Sequence, residues 1–250
     1  MKKLLVRADD LGYSEGVNYG IAKSVKEGII GSVGVMMNMP AVSHGLMLLK
    51  DTDVCLGQHT NISVGKPLTD PSLIPSITNE KGEFKSSKEY RQAKVDFVVL
   101  DEVILEIEAQ YKRYIELMGV KPHYIDGHAI ASDNFFKGLE IVAQKYGLKY
   151  SPFSMEGEVE INHKQVRINM ETIAPDMDYN PFESLKKTVE QADKGGYCMF
   201  VCHPGYLDGF ILRNSSLTLP RPMEVDMLCD PRTRKWLEEL NVELITYDDL

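Results

Sequence analysis

Residues 4–12 read Leu4-Leu5-Val6-Arg7-Ala8-Asp9-Asp10-Leu11-Gly12, a short apolar run that ends in two adjacent carboxylates and a glycine. Apolar runs of this length, bounded by a turn signal, read as buried strands. The next segment, Gly16–Glu27, has helical period, with Val17, Ile21, Ala22 and Val25 on one face, Ser14 as N-cap and Gly28 after its end. Outward from there the alternation repeats. Strands are predicted at Ser32–Met37, Val54–His59, His123–Asp126, Leu148–Ser151, Tyr197–Cys202 and Val242–Thr246. Helices are predicted at His44–Lys50, Asp101–Met118, Phe135–Tyr146, Ser184–Lys194 and Arg232–Leu240. Strands alternating with helices imply a parallel sheet covered by helices. An open doubly wound sheet and a closed or incomplete (β/α) barrel fit this pattern equally.

The chain has 250 residues, enough for one large α/β domain or two small ones. No Gly/Ser linker or short repeat divides it, and residues 1–250 are expected to form one domain. Its net charge is −9, with acids and bases interspersed. Neutralising phosphates requires clustered Lys and Arg, so nucleic acid is not the expected partner. No apolar stretch is long enough to span a bilayer, and the run after Lys2-Lys3 is too short for a secretory signal, so a cytoplasmic location is expected. Cys55, Cys198 and Cys202 lie in or beside apolar stretches and read as buried thiols; with Cys229 they show no zinc-knuckle spacing. Residues 66–90, with three prolines and little periodicity, read as a long loop over one end of the sheet and a candidate lid.

The polar residues are informative through their position. In parallel α/β folds, reactive groups gather at the carboxyl ends of strands. Asp9-Asp10 end the first strand, His59 ends another, Asp126 and His128 follow a third, and His203 ends a fourth before Pro204-Gly205. Each residue alone reads better as a structural group: a turn, a cap, a tied-down loop. Together, at four strand ends, they point to a site. His123 starts its strand and is expected at the opposite end of the sheet. Two histidines and a carboxylate are a common facial ligand set for a divalent cation. A cation beside Asp10 would also offset the repulsion between the paired carboxylates. Asp10 could then bind the ion while Asp9, pointing elsewhere, takes a proton from water.

Several blocks keep a fixed order: "ADDLGYSEGVNYGI" at the start, "NMPA" at Asn38–Ala41, "LGQHTNISVGKPL", "KPHYIDGH", "CHPGYLD" and "LPRPMEVDML". In this combination the chain resembles the YdjC-like carbohydrate deacetylases, over nearly its whole length. The resemblance implies a barrel-like (β/α) fold, distorted or incomplete, and hydrolysis of acetyl groups from N-acetylated mono- or oligosaccharides. It implies a divalent metal, usually assigned as magnesium (Mg2+, with Zn2+ the alternative), on Asp10, His59 and His128. Asp9 would be the general base and His203 the general acid. Arg221 would orient Asp9 or bind substrate; a surface salt bridge with Glu224 is the competing expectation. Members tend to be homodimers. The chain departs from the family at Gly127-His128-Ala129-Ile130-Ala131, where many members carry a run of histidines. Two rival functions stay open: hydrolysis of phosphorylated disaccharides, and non-catalytic binding of a sugar or metal.

Overall fold

The computed structural model describes residues 1–170, 179–193 and 195–250. In chain order the elements are β1 (Lys2–Leu11), α1 (Glu15–Lys26), β2 (Ser32–Val35), α2 (Val42–Leu49), β3 (Cys55–Thr60), α3 (Ser87–Gln92) and α4 (Leu100–Met118). Then follow β4 (Tyr124–Gly127), α5 (Asp133–Tyr146), β5 (Lys149–Tyr150), β6 (Glu156–Ile161), β7 (Lys164–Asn169) and α6 (Pro181–Gln191). The chain finishes with β8 (Tyr197–Cys202), α7 (Gly209–Asn214), α8 (Pro220–Cys229), α9 (Pro231–Glu239) and β9 (Val242–Ile245).

The strands form one sheet in the order β5-β4-β3-β2-β1-β8-β7-β6. All pairings are parallel except the β6–β7 hairpin. β9 lies beside the first half of β1, from Lys2↔Val242 to Leu5↔Ile245, while β2 takes its second half from Arg7↔Ser32 onward. The sheet curls until its far ends nearly meet. Tyr150 and Ser151 line one crevice with Ile168, Met170 and Val201. The sheet is thus a nearly closed barrel, and the open doubly wound alternative is excluded.

Strand alternation sorts side chains between the two faces. Leu4, Val6 and Ala8 of β1 pack outward with Val17 and Ile21 of α1. Leu5 faces inward with Cys55, Tyr124, Ile168, Met199 and Tyr247. The interior is crowded: a Cβ at Gly57 would lie 2.3 Å from the Tyr124 ring, so only glycine fits there. Tyr124 stacks on Tyr247 with ring centres 3.7 Å apart.

Ser14 caps α1 as expected, its side chain accepting from the Val17 amide. The β6–β7 hairpin and helices α3, α7 and α8 are additions to the elements expected from sequence. The helix expected at Ser184–Lys194 starts three residues earlier, at Pro181; Lys194 itself lies outside the described residues. Residues 66–90 are less open than a loose lid. They contain a turn of 3-10 helix at Pro71–Leu73 and the start of α3, and they bury Ile74, Ile77, Phe84 and Tyr90 with Val103 and Ile107 of α4 and Phe135 of α5. This packing holds the segment against the barrel without a ligand.

Candidate active site

β1 carries a bulge at its carboxyl end. Ala8 pairs with Val33 and Leu11 with Val35, so three steps on β1 match two on β2. Within the bulge Asp10 takes φ 80°, a conformation uncommon outside glycine, asparagine and aspartate. Simple alternation would send Arg7 and Asp9 inward and Asp10 outward, under the helices. The bulge instead turns Asp10 back to the barrel mouth, where both carboxylates approach the same histidine. Asp9 stays inside, with Oδ2 accepting from Arg7 Nη2 at 2.8 Å. Its Oδ1 has no hydrogen-bond partner among the described residues.

β3 and β4 bring up the next groups. His59 and Asp126 are register partners across these strands, and His59 Nδ1 lies 3.0 Å from Asp126 Oδ1. In the neutral ring, a proton on Nδ1 donated to that carboxylate would leave the Nε2 lone pair turned to the mouth, the form in which a cation would take it. There it meets His128 Nδ1 at 3.1 Å and Asp10 Oδ1 at 3.5 Å, while His128 Nδ1 and Asp10 Oδ1 are 3.0 Å apart. Arg7 ties the arrangement together from inside, pairing with both Asp9 and Asp126, the latter at 3.0 Å. Gly34 leaves the space for it: a Cβ there would sit 2.9 Å from Asp9 Oδ1 and 3.0 Å from His59 Cβ.

The far wall comes from β8 and α8. His203 follows β8 and is half-buried. Its backbone N–H donates to Glu224 Oε2 at 2.6 Å, and the Tyr179 hydroxyl donates to Glu224 Oε1 at 2.7 Å. Arg221 corrects the sequence expectation. It pairs with Asp10, not Asp9, through Nη2 at 2.7 Å, and its Nε and Nη1 donate to the carbonyls of Leu217 and His203. At 1% exposure it is buried against Asp10, so the expected surface bridge to Glu224 does not form.

Burial works against every charge here, and pairing decides the outcome. For Asp10 burial is outweighed by His128 and Arg221, which hold it well below the usual carboxylate range. Burial raises Asp9 against the pull of Arg7, which suits a proton acceptor. His59 is raised well above the usual imidazole range, because Asp126 and Asp9 overcome the effect of burial. Burial pushes His203 down to about 3, despite the opposing pull of Asp10, so it is a neutral imidazole at pH 7. Burial also raises Glu224 to about 7.

Asp10, His59 and His128, the ligand set expected from the resemblance, therefore converge. Ligand atoms in neighbouring positions on one cation, each about 2.1 Å from it, stand roughly 3.0 Å apart. The spacings above are close to that. Asp10 Oδ1 is buried and faces the ring nitrogens of His59 and His128 without a well-formed hydrogen bond to either, an arrangement that a shared cation would satisfy. The residues fit a divalent cation. Asp9 and His203 both lie close enough to feel the charges of this group. Sequence position places Asp126 among the strand-end residues without giving it a role, and Glu224 enters only as a competing partner for Arg221; Arg7 is missed, although it shares a strand face with Asp9.

Comparison with known proteins gives the family and the fold. The family model described as YdjC-like protein matches residues 3–239. Carbohydrate deacetylase 2 of Listeria innocua serovar 6a is 32% identical, with 99% of this chain and 98% of that protein covered. The chitooligosaccharide deacetylase of Serratia marcescens is 29% identical, with 100% and 99% covered. Among solved structures, a protein of Enterococcus faecalis V583 provisionally assigned to cellobiose-phosphate cleavage shares the fold at a TM-score of 0.85 and 21% identity, covering 99% of this chain and 98% of its own. With a family model spanning nearly all of its length and the motif residues gathered at one barrel mouth, the chain belongs to the YdjC-like family.

Proposed function

We propose that this chain is a metal-dependent hydrolase that removes acetyl groups from N-acetylated sugars or oligosaccharides. The observation that carries the proposal is the convergence of Asp10, His59 and His128 beside an Asp9 oxygen with no hydrogen-bond partner among the described residues. The deacetylase names of the full-length relatives supply the substrate class. Asp10, His59 and His128 would hold the cation. When bound, it polarises the acetyl carbonyl and acidifies a water. Two imidazoles and one carboxylate suit zinc better than magnesium, which prefers an all-oxygen shell.

The chain's own groups divide the proton work. Asp9, held in place by Arg7, accepts a proton from the attacking water through its open Oδ1. His203 starts neutral and takes up a proton from solvent as negative charge builds on the substrate. It passes that proton to the sugar nitrogen as the C–N bond breaks, leaving acetate and a free amine. The proton held by Asp9 returns to solvent at the end of the cycle. Arg221 and Asp126 hold the ligands Asp10 and His59 in orientation. A cavity of about 130 Å³ beside His203, with Met155, Met170, Val201 and Leu217 in its walls, offers apolar room for a small acyl group. The phosphorylated-disaccharide reading finds less support, since Arg7 and Arg221, the two arginines of the site, are both committed to carboxylates.

Variants separate binding from chemistry. Asp9→Asn and His203→Ala should each lower the rate on an N-acetyl sugar by about 10²–10⁴-fold while metal content stays near that of the unmodified protein. On a nitrophenyl acetate, whose leaving group needs no proton, the His203→Ala deficit should largely disappear and the Asp9→Asn deficit should persist. Equal losses of His203→Ala on both substrates would remove His203 as the leaving-group acid.

A further inference from the structure

A second convergence of donor atoms lies at the opposite end of the barrel, away from the acetyl-sugar chemistry. Cys55 opens β3, His123 immediately precedes β4, and Asp248 follows β9. One donor atom from each lies within 4.8 Å of the others. The same two strands carry the two histidines of the first triad at their other ends: Cys55 and His59 on β3, His123 and His128 flanking β4. At about 3.3 Å per residue, the four- and five-residue separations put the two sets roughly 13–17 Å apart, too far to share a ligand.

The cluster has the composition of a transition-metal site. It offers one sulfur, one imidazole nitrogen and one carboxylate oxygen, a set suited to zinc and unsuited to magnesium or calcium. Cys55 is 3% exposed and forms the floor, while the side chains of His123 and Asp248 are 41% and 59% exposed and leave an entry path. His123 Nδ1 and Asp248 Oδ1 already meet at 2.6 Å. Lys149 donates to the carbonyl of Tyr247, the residue before Asp248, and so helps fix the turn that carries Asp248.

We propose that Cys55, His123 and Asp248 form a second, structural site for one zinc ion, with water completing its coordination. As the zinc–sulfur bond forms, the thiol proton leaves to solvent. The exposed His123 and Asp248 side chains rotate to close the set, and the ion then pins the C-terminal turn to the starts of β3 and β4. Tyr247 sits in that turn and bonds Arg7 and Ser151 in the barrel interior, so the pin also steadies the floor beneath Arg7.

Cobalt titration of the chelator-stripped full chain tests this, because a thiolate ligand gives cobalt a near-ultraviolet charge-transfer band that oxygen and nitrogen ligands do not. The first triad contains no thiol, so the band reports the second site alone, and a His59→Ala background lowers the competing uptake. The expected result is a thiolate band saturating at one ion per chain. Cys55→Ser should abolish it, and the exposed substitutions His123→Gln and Asp248→Asn should each weaken its titration by about tenfold or more, as loss of a ligand does. Zinc should raise the melting temperature of the His59→Ala protein and leave that of a His59→Ala/Cys55→Ser protein unchanged. Absence of the band at saturating cobalt, its survival in Cys55→Ser, or unchanged titrations in both His123→Gln and Asp248→Asn would each overturn the proposal.

Discussion

Asp10 shows how much one residue's backbone can decide. Its φ of 80° and the adjoining bulge bring both members of an Asp-Asp pair to one mouth, which plain alternation would not do. Asp126 acts one step back, holding His59 with Nε2 turned outward. Asp126→Asn should therefore weaken metal binding by about 10–100-fold while the fold survives, measurable by metal titration of the stripped protein. Glu224 carries a different signature. Its carboxyl rises from an ordinary 4.5 to about 7 through burial, against hydrogen bonds from Tyr179 and the His203 amide. A raised carboxyl favours folding in its protonated form, so that contribution is present below about pH 4.5 and is lost as pH rises through 7. Relative to Glu224→Gln, the unmodified protein should lose about 3 kcal/mol of stability between those limits, since each tenfold change in proton affinity is worth roughly 1.4 kcal/mol. Urea unfolding at pH 5 and pH 8 reads this; parallel pH dependence in the two proteins would remove Glu224 as the titrating group.

At the scale of elements, the sequence is most legible where strands are buried on both faces. β1, β3 and β8 announce themselves as apolar runs, and α1, α4 and α5 by their apolar stripes. The β6–β7 hairpin is legible too, yet it is not among the expected elements: Glu158–Ile161 and Gln165–Ile168 alternate polar with apolar residues around the two-residue turn Asn162-His163, whose φ values are 48° and 66°. α8 is hidden in the sequence because Pro220 and Pro222 suggest a turn, although proline is at home in a first helical turn. The site's strand-end residues are legible by position. The Arg7–Asp126–His59 linkage is not, since it depends on the β3–β4 register and on the curl of the sheet. Gly34 belongs to this scale too, as the point where β2 yields space to its neighbours. Gly34→Ala would force a methyl between Asp9 and His59, costing about 1–3 kcal/mol of stability. Activity should fall at least tenfold with the circular dichroism spectrum retained; full activity would show that the two side chains can separate freely.

For the whole molecule, the barrel explains why the chemistry gathers where it does. Four strand ends contribute side chains to one mouth, and the interior beneath is closed by Arg7, Tyr124 and Tyr247. Residues 66–90 pack into the cluster between α4 and α5, so one wall of that end is set before any sugar arrives. The alternation of strands and helices foretells a parallel sheet, but its closure depends on how far the edges travel around, which no local pattern encodes. The central claim is that this mouth hydrolyses acetylated sugars with a bound cation. Acetate released from an N-acetylated chito-oligosaccharide tests it most directly, measured on the unmodified protein before chelation, after chelation, and after zinc or magnesium is restored. The account predicts acetate stoichiometric with free amine, lost on chelation and regained with the metal, and absent throughout in His59→Ala. Acetate release that is untouched by chelation and by His59→Ala, or no release from any acetylated sugar by the metal-loaded protein, would contradict it.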